Sequence, residues 1–259
     1  MSDFQPRVLV LSGDGINCER ETAEAFEAVG FSAEIHHLND LILDQVSLEM
    51  LSDKFQVLAL PGGFSFADDL GSGKILALKI KHGLGWNLSL YAQKGGLVLG
   101  ICNGFQALIR LGVFGYDLSI TRNDSGVFMN RWVRVSPDGD KCVWLKGMGD
   151  IELPIRHGEG KIVFQSIKEK ETLDRLHRFG MDCLRYENNP NGSEANLAGL
   201  CDMSGRILGM MPHPEAFVRW SAHPEWTIQK NRALAPGAGL SIFQNAFQEV
   251  KKRHQENEN

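Results

Sequence analysis

The sequence of 259 residues lacks the features that mark several large classes of protein. It has 27 basic against 32 acidic residues and a net charge of −5, so no basic excess is available to neutralise nucleic-acid phosphates. Its longest apolar stretches, such as 96–102, fall far short of the roughly 20 residues that cross a bilayer. The segment 1–7 has no apolar core of the signal-peptide type. We therefore expect a globular cytoplasmic protein that binds neither nucleic acid nor membrane.

Cysteine is scarce, and its spacing does not favour disulfides or structural zinc. The five cysteines are an odd number and contain no C-x-x-C pair, which indicates a reducing compartment. We expect most of them to be buried structural thiols, since that is the usual place of a free cysteine. These are Cys18, Cys142, Cys183 and Cys201.

Strand-like and helix-like segments alternate through the first part of the chain. Strands are predicted at 7–11, 32–37, 56–60 and 97–101, and helices at 19–29, 75–93 and 105–111. Gly83 and Gly85 predict a kink in the second helix or its division into two pieces. This alternation is typical of α/β proteins with three layers, in which helices flank a mostly parallel central sheet.

After Gly115 the pattern changes to short strand-like runs separated by Gly, Asn, Asp and Pro. These runs lie at 127–135, 141–145, 153–156, 161–164, 197–202 and 206–211. They predict an antiparallel or mixed extension of the same sheet, closed by an amphipathic helix from Leu240 to Val250. The chain has no repeats and no low-complexity linker, so we predict one domain over 1–259 with a frayed tail over 251–259.

The most informative segment is 97–106, LVLGICNGFQ, where an apolar strand runs directly into a helix. Its G-x-C-x-G centre is the pattern of a nucleophile elbow with cysteine in place of serine. Gly100 and Gly104 leave room at a sharp turn, and the helix N-terminus favours a thiolate on Cys102. The backbone amide of Asn103 would form half of an oxyanion hole. The pattern predicts a cysteine nucleophile but does not distinguish a hydrolase from a transferase.

A base for this nucleophile is predicted at 212–215, where a later strand ends in Pro-His-Pro-Glu. Two prolines hold His213 on a stiff turn, where its ring can accept the proton of Cys102. Glu215 can bond the other ring nitrogen and so select the tautomer. The order of nucleophile, base and orienting carboxylate is that of a catalytic triad.

A second His-Pro-Glu, at 223–225, competes for the same role. No strand precedes it, and rigid elements position catalytic groups better than loops do. We therefore expect His223 and Glu225 to face the surface or a partner.

Three motifs occur together in one known family. They are PGG at 61–63, GICNGFQ at 100–106 and PHPE at 212–215. In this combination the chain resembles the class I, or triad, glutamine amidotransferases. Further stretches resemble those members of the family that act in purine biosynthesis, as the amidotransferase component of phosphoribosylformylglycinamidine synthase. These are GDGINCER at 13–20, PGGFSFADDLGSGK at 61–74, residues 122–133, HGEGK at 157–161 and NPNGS at 189–193.

The resemblance implies that this chain hydrolyses glutamine to glutamate and ammonia through a glutamyl thioester on Cys102. It implies that His213 is the general base and acid and that Glu215 orients it. The ammonia would pass to a separate synthetase that uses ATP to convert formylglycinamide ribonucleotide to its amidine, and a small third subunit could join the complex. ATP and Mg²⁺ are then expected on the partner, with no cofactor and no metal on this chain.

The resemblance also implies a glutamine pocket and a second oxyanion amide, from Gly63. The residues expected to bind the substrate are Gly62, Gly63, Phe64, Asn103, Gln106, His157 and Glu159. Two positions depart from the usual family pattern. Ala216 follows the triad glutamate where arginine is common, and Ala67, which adjoins the pocket loop, replaces a common glycine.

Three other functions stay open from the sequence. The chain could be the glutaminase subunit of a different amidating enzyme, or another elbow-cysteine hydrolase such as a peptidase or a glyoxalase-like protein. The third is a binding module that keeps the fold without catalysis. The PGG loop and PHPE argue against the second, and the intact predicted triad argues against the third.

Overall fold

Strands and helices alternate in the first part of the chain, as the sequence predicts. The computed structural model describes residues 4–138, 141–228 and 235–258. The strands of this part are β1 (Arg7–Ser12), β2 (Ser32–His37), β3 (Val57–Leu60) and β4 (Leu97–Ile101). The helices are α1 (Glu19–Glu27), α2 (Leu38–Leu43), α3 (Leu48–Lys54), α4 (Lys74–Leu78), α5 (Leu88–Gln93) and α6 (Asn103–Arg110). The predicted break in 75–93 is confirmed, because a π-helical turn over Lys79–Leu84 and a left-handed Gly85 separate α4 from α5.

The second part of the chain is richer in strands, as expected, and ends in a long helix. Its strands are β5 (Leu118–Arg122), β6 (Met129–Pro137), β7 (Ile151–His157), β8 (Glu159–Phe164), β9 (Leu184–Tyr186), β10 (Leu197–Cys201) and β11 (Ile207–Met210). Its helices are α7 (Glu169–Arg178) and α8 (Leu240–Glu258).

One predicted strand, at 141–145, is wrong. This segment contains a short 3₁₀ turn over Val143–Leu145 that buries both Trp144 and Leu145. The indole N–H of Trp144 donates to the carbonyl of Arg206 at 2.9 Å, which fixes the turn against the main sheet. A strand would have directed one of two successive apolar side chains away from the core.

Within the described ranges, nine strands form the main sheet, in the order β2-β1-β3-β4-β11-β10-β9-β6-β7. The strands from β2 to β11 are parallel, and those from β11 to β7 pair antiparallel, which confirms the predicted extension. β5 and β8 form a separate antiparallel pair instead of joining this sheet. All residues of β3 and β4 are buried, as expected of central strands covered on both faces.

The closing helix is longer than the sequence predicts. The segment 251–259 was expected to fray, but α8 continues to Glu258, and Asn259 lies outside the described residues. The last turns are held because the guanidinium of Arg253 donates to the carbonyl of Lys94. A polar composition therefore did not prevent helix formation where a tertiary contact was available.

The buried apolar side chains belong to one cluster that reaches from Val8 in β1 to Val250 in α8. One domain over the whole of 1–259 stays a prediction. Within the described parts of the chain, no helix combines the length and apolar character needed to cross a membrane.

The parallel part of the sheet explains where the site lies. β3, β4 and β11 are adjacent and parallel, so their carboxyl ends meet at one edge of the sheet. The segments that follow these three ends are PGG at 61–63, the elbow at Cys102 and PHPE at 212–215. Crevices at the carboxyl ends of strands are the usual ligand sites of open α/β sheets.

Candidate active site

Cys102 lies at the bend between β4 and α6. Its backbone has φ 49° and ψ −102°, a conformation that costs on the order of 1–3 kcal/mol for a residue with a side chain. The chain crosses β3 closely here, since a Cβ added to Gly104 would lie 1.9 Å from the carbonyl oxygen of Leu60. The strain is therefore concentrated on the residue that must project its sulfur, while glycine allows the close crossing.

The structure brings His213 and Glu215 to this cysteine. His213 Nδ1 lies 2.5 Å from Glu215 Oε1, and the side chains of all three residues are buried. The side chains of Cys102 and His213 both lie next to Gly62. A Cβ added there would lie 2.8 Å from His213 Cε1 and 3.5 Å from the Cβ of Cys102. His213 Nε2 makes no hydrogen bond with any described residue, so this nitrogen is available to exchange a proton.

The charge state of this pair follows from its surroundings. Burial alone would lower the pKa of His213, but Glu215 and the Cys102 thiol together raise that pKa well above its ordinary value. The raised pKa of His213 favours its protonated, imidazolium form at neutral pH. An imidazolium beside a cysteine can supply the proton that a leaving group needs.

Two backbone amides near the sulfur form the candidate oxyanion hole. The loop after β3 forms an antiparallel bridge with residues 15–17, in which the N–H of Phe64 donates to the Gly15 carbonyl at 2.8 Å. That pairing leaves the N–H of Gly63 without a partner among the described residues. Asn103 is the first residue of α6, where the N–H has no intrahelical acceptor. Both amides are therefore free to bind a developing negative charge.

The predicted pocket residues Gln106 and Glu159 are tied into a polar network behind the elbow. Asn103 Nδ2 donates to Gln106 Oε1 at 2.9 Å and to Asp68 Oδ1 at 3.0 Å. Gln106 Nε2 donates to the backbone carbonyl of Glu159 at 2.5 Å, and the Glu159 carboxylate accepts from Ser72 N–H at 3.1 Å. In this structure these groups hold the 65–73 loop against α6, and their contact with glutamine stays a prediction.

His157 is buried at the end of β7 and is placed to accept a hydrogen bond. Its Nδ1 lies 3.0 Å from Asn123 Oδ1, and its Nε2 has no partner among the described residues. Burial, with added repulsion from His213, lowers the pKa of His157 to about 4. The ring is therefore neutral at pH 7, and donation from Nδ1 to Asn123 leaves Nε2 as an acceptor.

The mouth of the site is apolar. Phe64, another predicted substrate residue, is 46% exposed, and its ring lies 6.0 Å from that of the half-exposed Phe128. Beside them a cleft of about 760 Å³ is lined by the 14–17 loop, Phe66 and Ala67. Ala67 has φ 55°, a left-handed conformation that glycine adopts without a penalty. The departure from glycine noted in the sequence thus places an alanine in a strained loop position.

Two residues beside the triad were missed by sequence reasoning. Cys18 is half-buried, and its Sγ lies within 4.8 Å of both a ring nitrogen of His213 and a carboxylate oxygen of Glu215. The predicted burial of Cys18 is therefore wrong, while its structural role stays a prediction; its segment 13–20 already resembled the family. Tyr186 in β9 has a buried hydroxyl that bonds to no described residue, and burial, together with the nearby Cys102, raises its pKa. No local sequence signal marked Tyr186.

The structure also corrects the placement of His223. Its ring is buried, stacked on Trp220 with centroids 4.7 Å apart and at 4.8 Å from Trp132. Its Nε2 lies 3.2 Å from Glu152 Oε2, and its Nδ1 accepts from the backbone N–H of Glu225. Since both ring nitrogens are satisfied inside an aromatic cluster, this histidine is structural, whereas Glu225 is exposed as expected.

Two groups of described residues have the donor atoms and spacing to hold a metal ion. One is the set of Cys18, His213 and Glu215. The other is formed by Cys142, Cys183 and Cys201, whose sulfur atoms lie within 4.8 Å of one another. These three are free buried thiols, as expected from the sequence.

The chain matches the model of the CobB/CobQ-like glutamine amidotransferase domain over residues 5–248. It belongs to this family. The subunit PurQ of phosphoribosylformylglycinamidine synthase from Dehalococcoides mccartyi is 38% identical over 254 aligned residues, which cover 93% of this chain and 96% of that protein. The PurQ subunit from Methanococcus maripaludis strain C5 is also 38% identical, over 95% of this chain and 99% of that protein.

Among solved structures, PurLQS from Thermotoga maritima contains a chain similar to this amidotransferase. The two superpose with a TM-score of 0.75 at 28% identity, over 95% of this chain and all of that chain. A glutamine amidotransferase from the same organism has a TM-score of 0.55 at 16% identity, a likeness of fold alone. The predicted α/β fold and the predicted family are both confirmed.

Proposed function

We propose that this chain is the glutaminase subunit of a phosphoribosylformylglycinamidine synthase. It hydrolyses L-glutamine and delivers the ammonia to an ATP-dependent formylglycinamide ribonucleotide synthetase in purine biosynthesis. The observation that carries the proposal is the strained Cys102 beside the buried His213–Glu215 pair. The near full-length identity to PurQ subunits supports the choice of synthase over other amidating enzymes.

In the first half of the reaction, the Cys102 thiolate attacks the side-chain carbonyl carbon of glutamine. The carbonyl oxygen becomes an oxyanion that the N–H groups of Gly63 and Asn103 can bind. Losing one such donor typically costs about 3 kcal/mol of transition-state stabilisation. The imidazolium of His213 then gives its proton to the departing nitrogen, so that ammonia leaves and a glutamyl thioester remains.

In the second half, water replaces ammonia as the reacting molecule. Neutral His213 takes a proton from the water while its oxygen attacks the thioester carbonyl, and the same two amides hold the oxyanion. The C–S bond then breaks, glutamate leaves, and Cys102 recovers its thiolate beside the imidazolium. Glu215 supports the positive ring in both halves, through the 2.5 Å contact to Nδ1.

We further propose that the active geometry is completed only when the synthetase docks. Cys102 is 4% exposed, so glutamine has little access to its sulfur in the isolated chain. His213 Nε2 makes no hydrogen bond with the described residues, so the base is not yet bonded to the nucleophile. The exposed rings of Phe64 and Phe128 at the mouth offer an apolar surface of the kind found in interface cores. The name PurLQS of the solved relative supports a synthetase partner and a small third subunit.

The chain itself is proposed to need no cofactor, because each step above uses only its own thiol, imidazole, carboxylate and amides. ATP and Mg²⁺ would then act on the synthetase. A cytoplasmic location is proposed as well, and the five free cysteines support it.

The test is to purify the chain with its partner and to measure glutamate release with and without the synthetase. We expect co-purification with formylglycinamide ribonucleotide synthetase and a rate of glutamate release that rises strongly in the complex. Cys102→Ala should abolish the use of glutamine but preserve amidine synthesis from added ammonia. Co-purification with a different ATP-dependent amidating enzyme would reassign the acceptor, and an equal rate in the isolated chain would contradict the proposed gating.

A further inference from the structure

A second thiol lies beside the catalytic base. Cys18 precedes α1, and its backbone N–H donates to the Gly62 carbonyl at 3.3 Å, which holds it against the loop that touches His213. Its sulfur, a ring nitrogen of His213 and a carboxylate oxygen of Glu215 all lie within 4.8 Å of one another. The catalytic mechanism above makes no use of this sulfur.

Two polar atoms of the triad remain unpaired among the described residues. His213 Nε2 and Glu215 Oε2 are both buried and make no hydrogen bond with the described residues. Their side chains are 2% and 1% exposed. A buried carboxylate oxygen without a donor is costly unless a cation or a hydrogen-bond donor reaches it.

Cys18 is the most solvent-accessible of the three residues. Cys18 is half-buried, and its thiol lies 3.3 Å from the side-chain oxygen of the exposed Asn17. Asn17 also lines the cleft of about 760 Å³ at the mouth of the site. Solvent therefore reaches Cys18 more readily than the two buried members of the group.

The donor set selects the kind of ion. One sulfur, one imidazole nitrogen and one carboxylate oxygen are the ligand types of zinc, whereas Ca²⁺ and Mg²⁺ prefer oxygen alone. In a tetrahedral zinc site such donors are roughly 3.4–3.6 Å apart, so the 2.5 Å contact between His213 Nδ1 and Glu215 Oε1 must open by about 1 Å. A thiolate and a carboxylate also balance the two positive charges of the ion.

We propose that Cys18, His213 and Glu215 form an inhibitory Zn²⁺ site, with a water molecule in the fourth position. Binding releases one proton from the Cys18 thiol and one from the His213 ring. The ion then occupies the base and its orienting carboxylate, so that no proton can be moved during glutamine hydrolysis. The binding site stands on geometry alone, while its effect as an inhibitor rests on the proposed function.

The first test measures zinc inhibition of glutaminase activity in the complex with the synthetase, at buffered free Zn²⁺. Wild type should be inhibited, and a chelator should restore its activity. Cys18→Ser should require at least about tenfold more free zinc for half-inhibition, since loss of a ligand weakens a metal site by this much or more.

Cys142→Ala is the matched control, because it removes a free thiol far from the triad, and its inhibition curve should coincide with that of wild type. Equal zinc sensitivity of wild type and Cys18→Ser would overturn the proposal.

The second test measures binding without activity, by competition with a chromophoric chelator and by zinc-edge X-ray absorption. Cys102→Ala should bind zinc as tightly as wild type, since Cys102 is outside the ligand set. The spectrum of wild type with one equivalent of Zn²⁺ should show one sulfur and about three nitrogen or oxygen neighbours. A spectrum with three sulfur neighbours would place the ion in the Cys142 cluster and refute the assignment. These readings stay valid if Cys18→Ser folds poorly or if glutaminase activity is absent, so they separate failure of the site from failure of the function.

Discussion

Replacing Gly63 by alanine tests whether its amide binds the oxyanion. Gly63 has φ 143°, and an added Cβ would lie 2.8 Å from the backbone atoms of Asn17, Gly15 and Ile16. Backbone atoms cannot rotate away as a flexible side chain can, so the loop must shift and the N–H must turn from its direction. The loop strain, on the order of 1–3 kcal/mol, is smaller than the about 5–15 kcal/mol that stabilises a typical domain. The variant is therefore expected to fold.

The expected effect of Gly63→Ala is on kcat for glutamine. Removal of one oxyanion donor typically costs about 2.7–4 kcal/mol, which corresponds to a rate reduced about 10²–10³-fold. KM should change much less, because the amide acts mainly on the charge that develops during attack. Amidine synthesis from added ammonia should be preserved. The assay is steady-state glutamate release by the complex, together with thermal unfolding of the isolated chain.

Gly147→Ala provides the matched control. Gly147 also has a left-handed φ, of 69°, but an added Cβ there meets no atom within 4 Å. It carries a similar backbone penalty at an exposed position away from the elbow. We expect its glutaminase rate to equal that of wild type. A Gly63→Ala enzyme that retains a third or more of the wild-type kcat would refute the assignment of this amide.

Four further outcomes are expected. The pKa of His157 is about 4 in the folded chain and about 6.5 in the unfolded chain, so the unfolded chain binds more protons between these pH values. The stability that the neutral ring contributes is therefore complete above about pH 6.5. It decreases by about 3 kcal/mol as the pH falls to 4. In His157→Gln, the free energy of unfolding measured in urea should not show this loss between pH 4 and pH 7. If the variant and wild type lost stability with pH in parallel, the assignment would be contradicted. His223→Ala should reduce the free energy of unfolding by about 1–3 kcal/mol, since it empties an aromatic cluster, yet change kcat little. His213→Ala should abolish glutamate release, and an equal loss in His223→Ala would show that the wrong histidine was chosen as base. Ala67→Gly should raise the free energy of unfolding by up to about 1 kcal/mol in urea titration, because it relieves a left-handed alanine, and a loss of stability would contradict this account.

Communication with the synthetase has a structural starting point in the loop after β3. This loop contains Gly63 of the proposed oxyanion hole, the exposed Phe64 and the strained Ala67. Asn103 accepts from the N–H of Ser65 at 3.2 Å, which links the same loop to the helix of the elbow. A displacement of the exposed rings by a docking partner would therefore move the backbone amide of Gly63, which lies next to Phe64 in the same loop. A shift of this loop on docking is the simplest physical form of the proposed gating.

The elbow could be predicted because its determinants are local. A buried strand, two spaced glycines and the helix that follows are all contained in 97–106, and short-range periodicity and backbone sterics decide each of them. The PHPE segment was predictable for the same reason, since a strand end and two prolines restrict His213 within four residues. Their approach to one another followed from parallel strand order, which the β/α alternation already indicated.

Features that depend on distant neighbours were not predictable in this way. Cys18 was expected to be structural, but the bond from its N–H to the Gly62 loop carries its sulfur to the triad. His223 was expected at the surface, yet Trp132 and Trp220 enclose its ring. The tail over 251–259 was expected to fray, yet the helix continues to Glu258, and Arg253 in it contacts Lys94.

The amino-acid order alone determined the α/β class, the elbow cysteine and the histidine–glutamate pair, because the steric and periodic rules behind them act over a few residues. Only the tertiary structure decided which second thiol lies beside the base, which histidine is enclosed by aromatic rings and which polar side chains hold the 65–73 loop. These outcomes depend on burial and on contacts between segments far apart in the chain. A side chain's neighbours across the fold set its solvation and its free hydrogen-bonding capacity, and local sequence does not contain either.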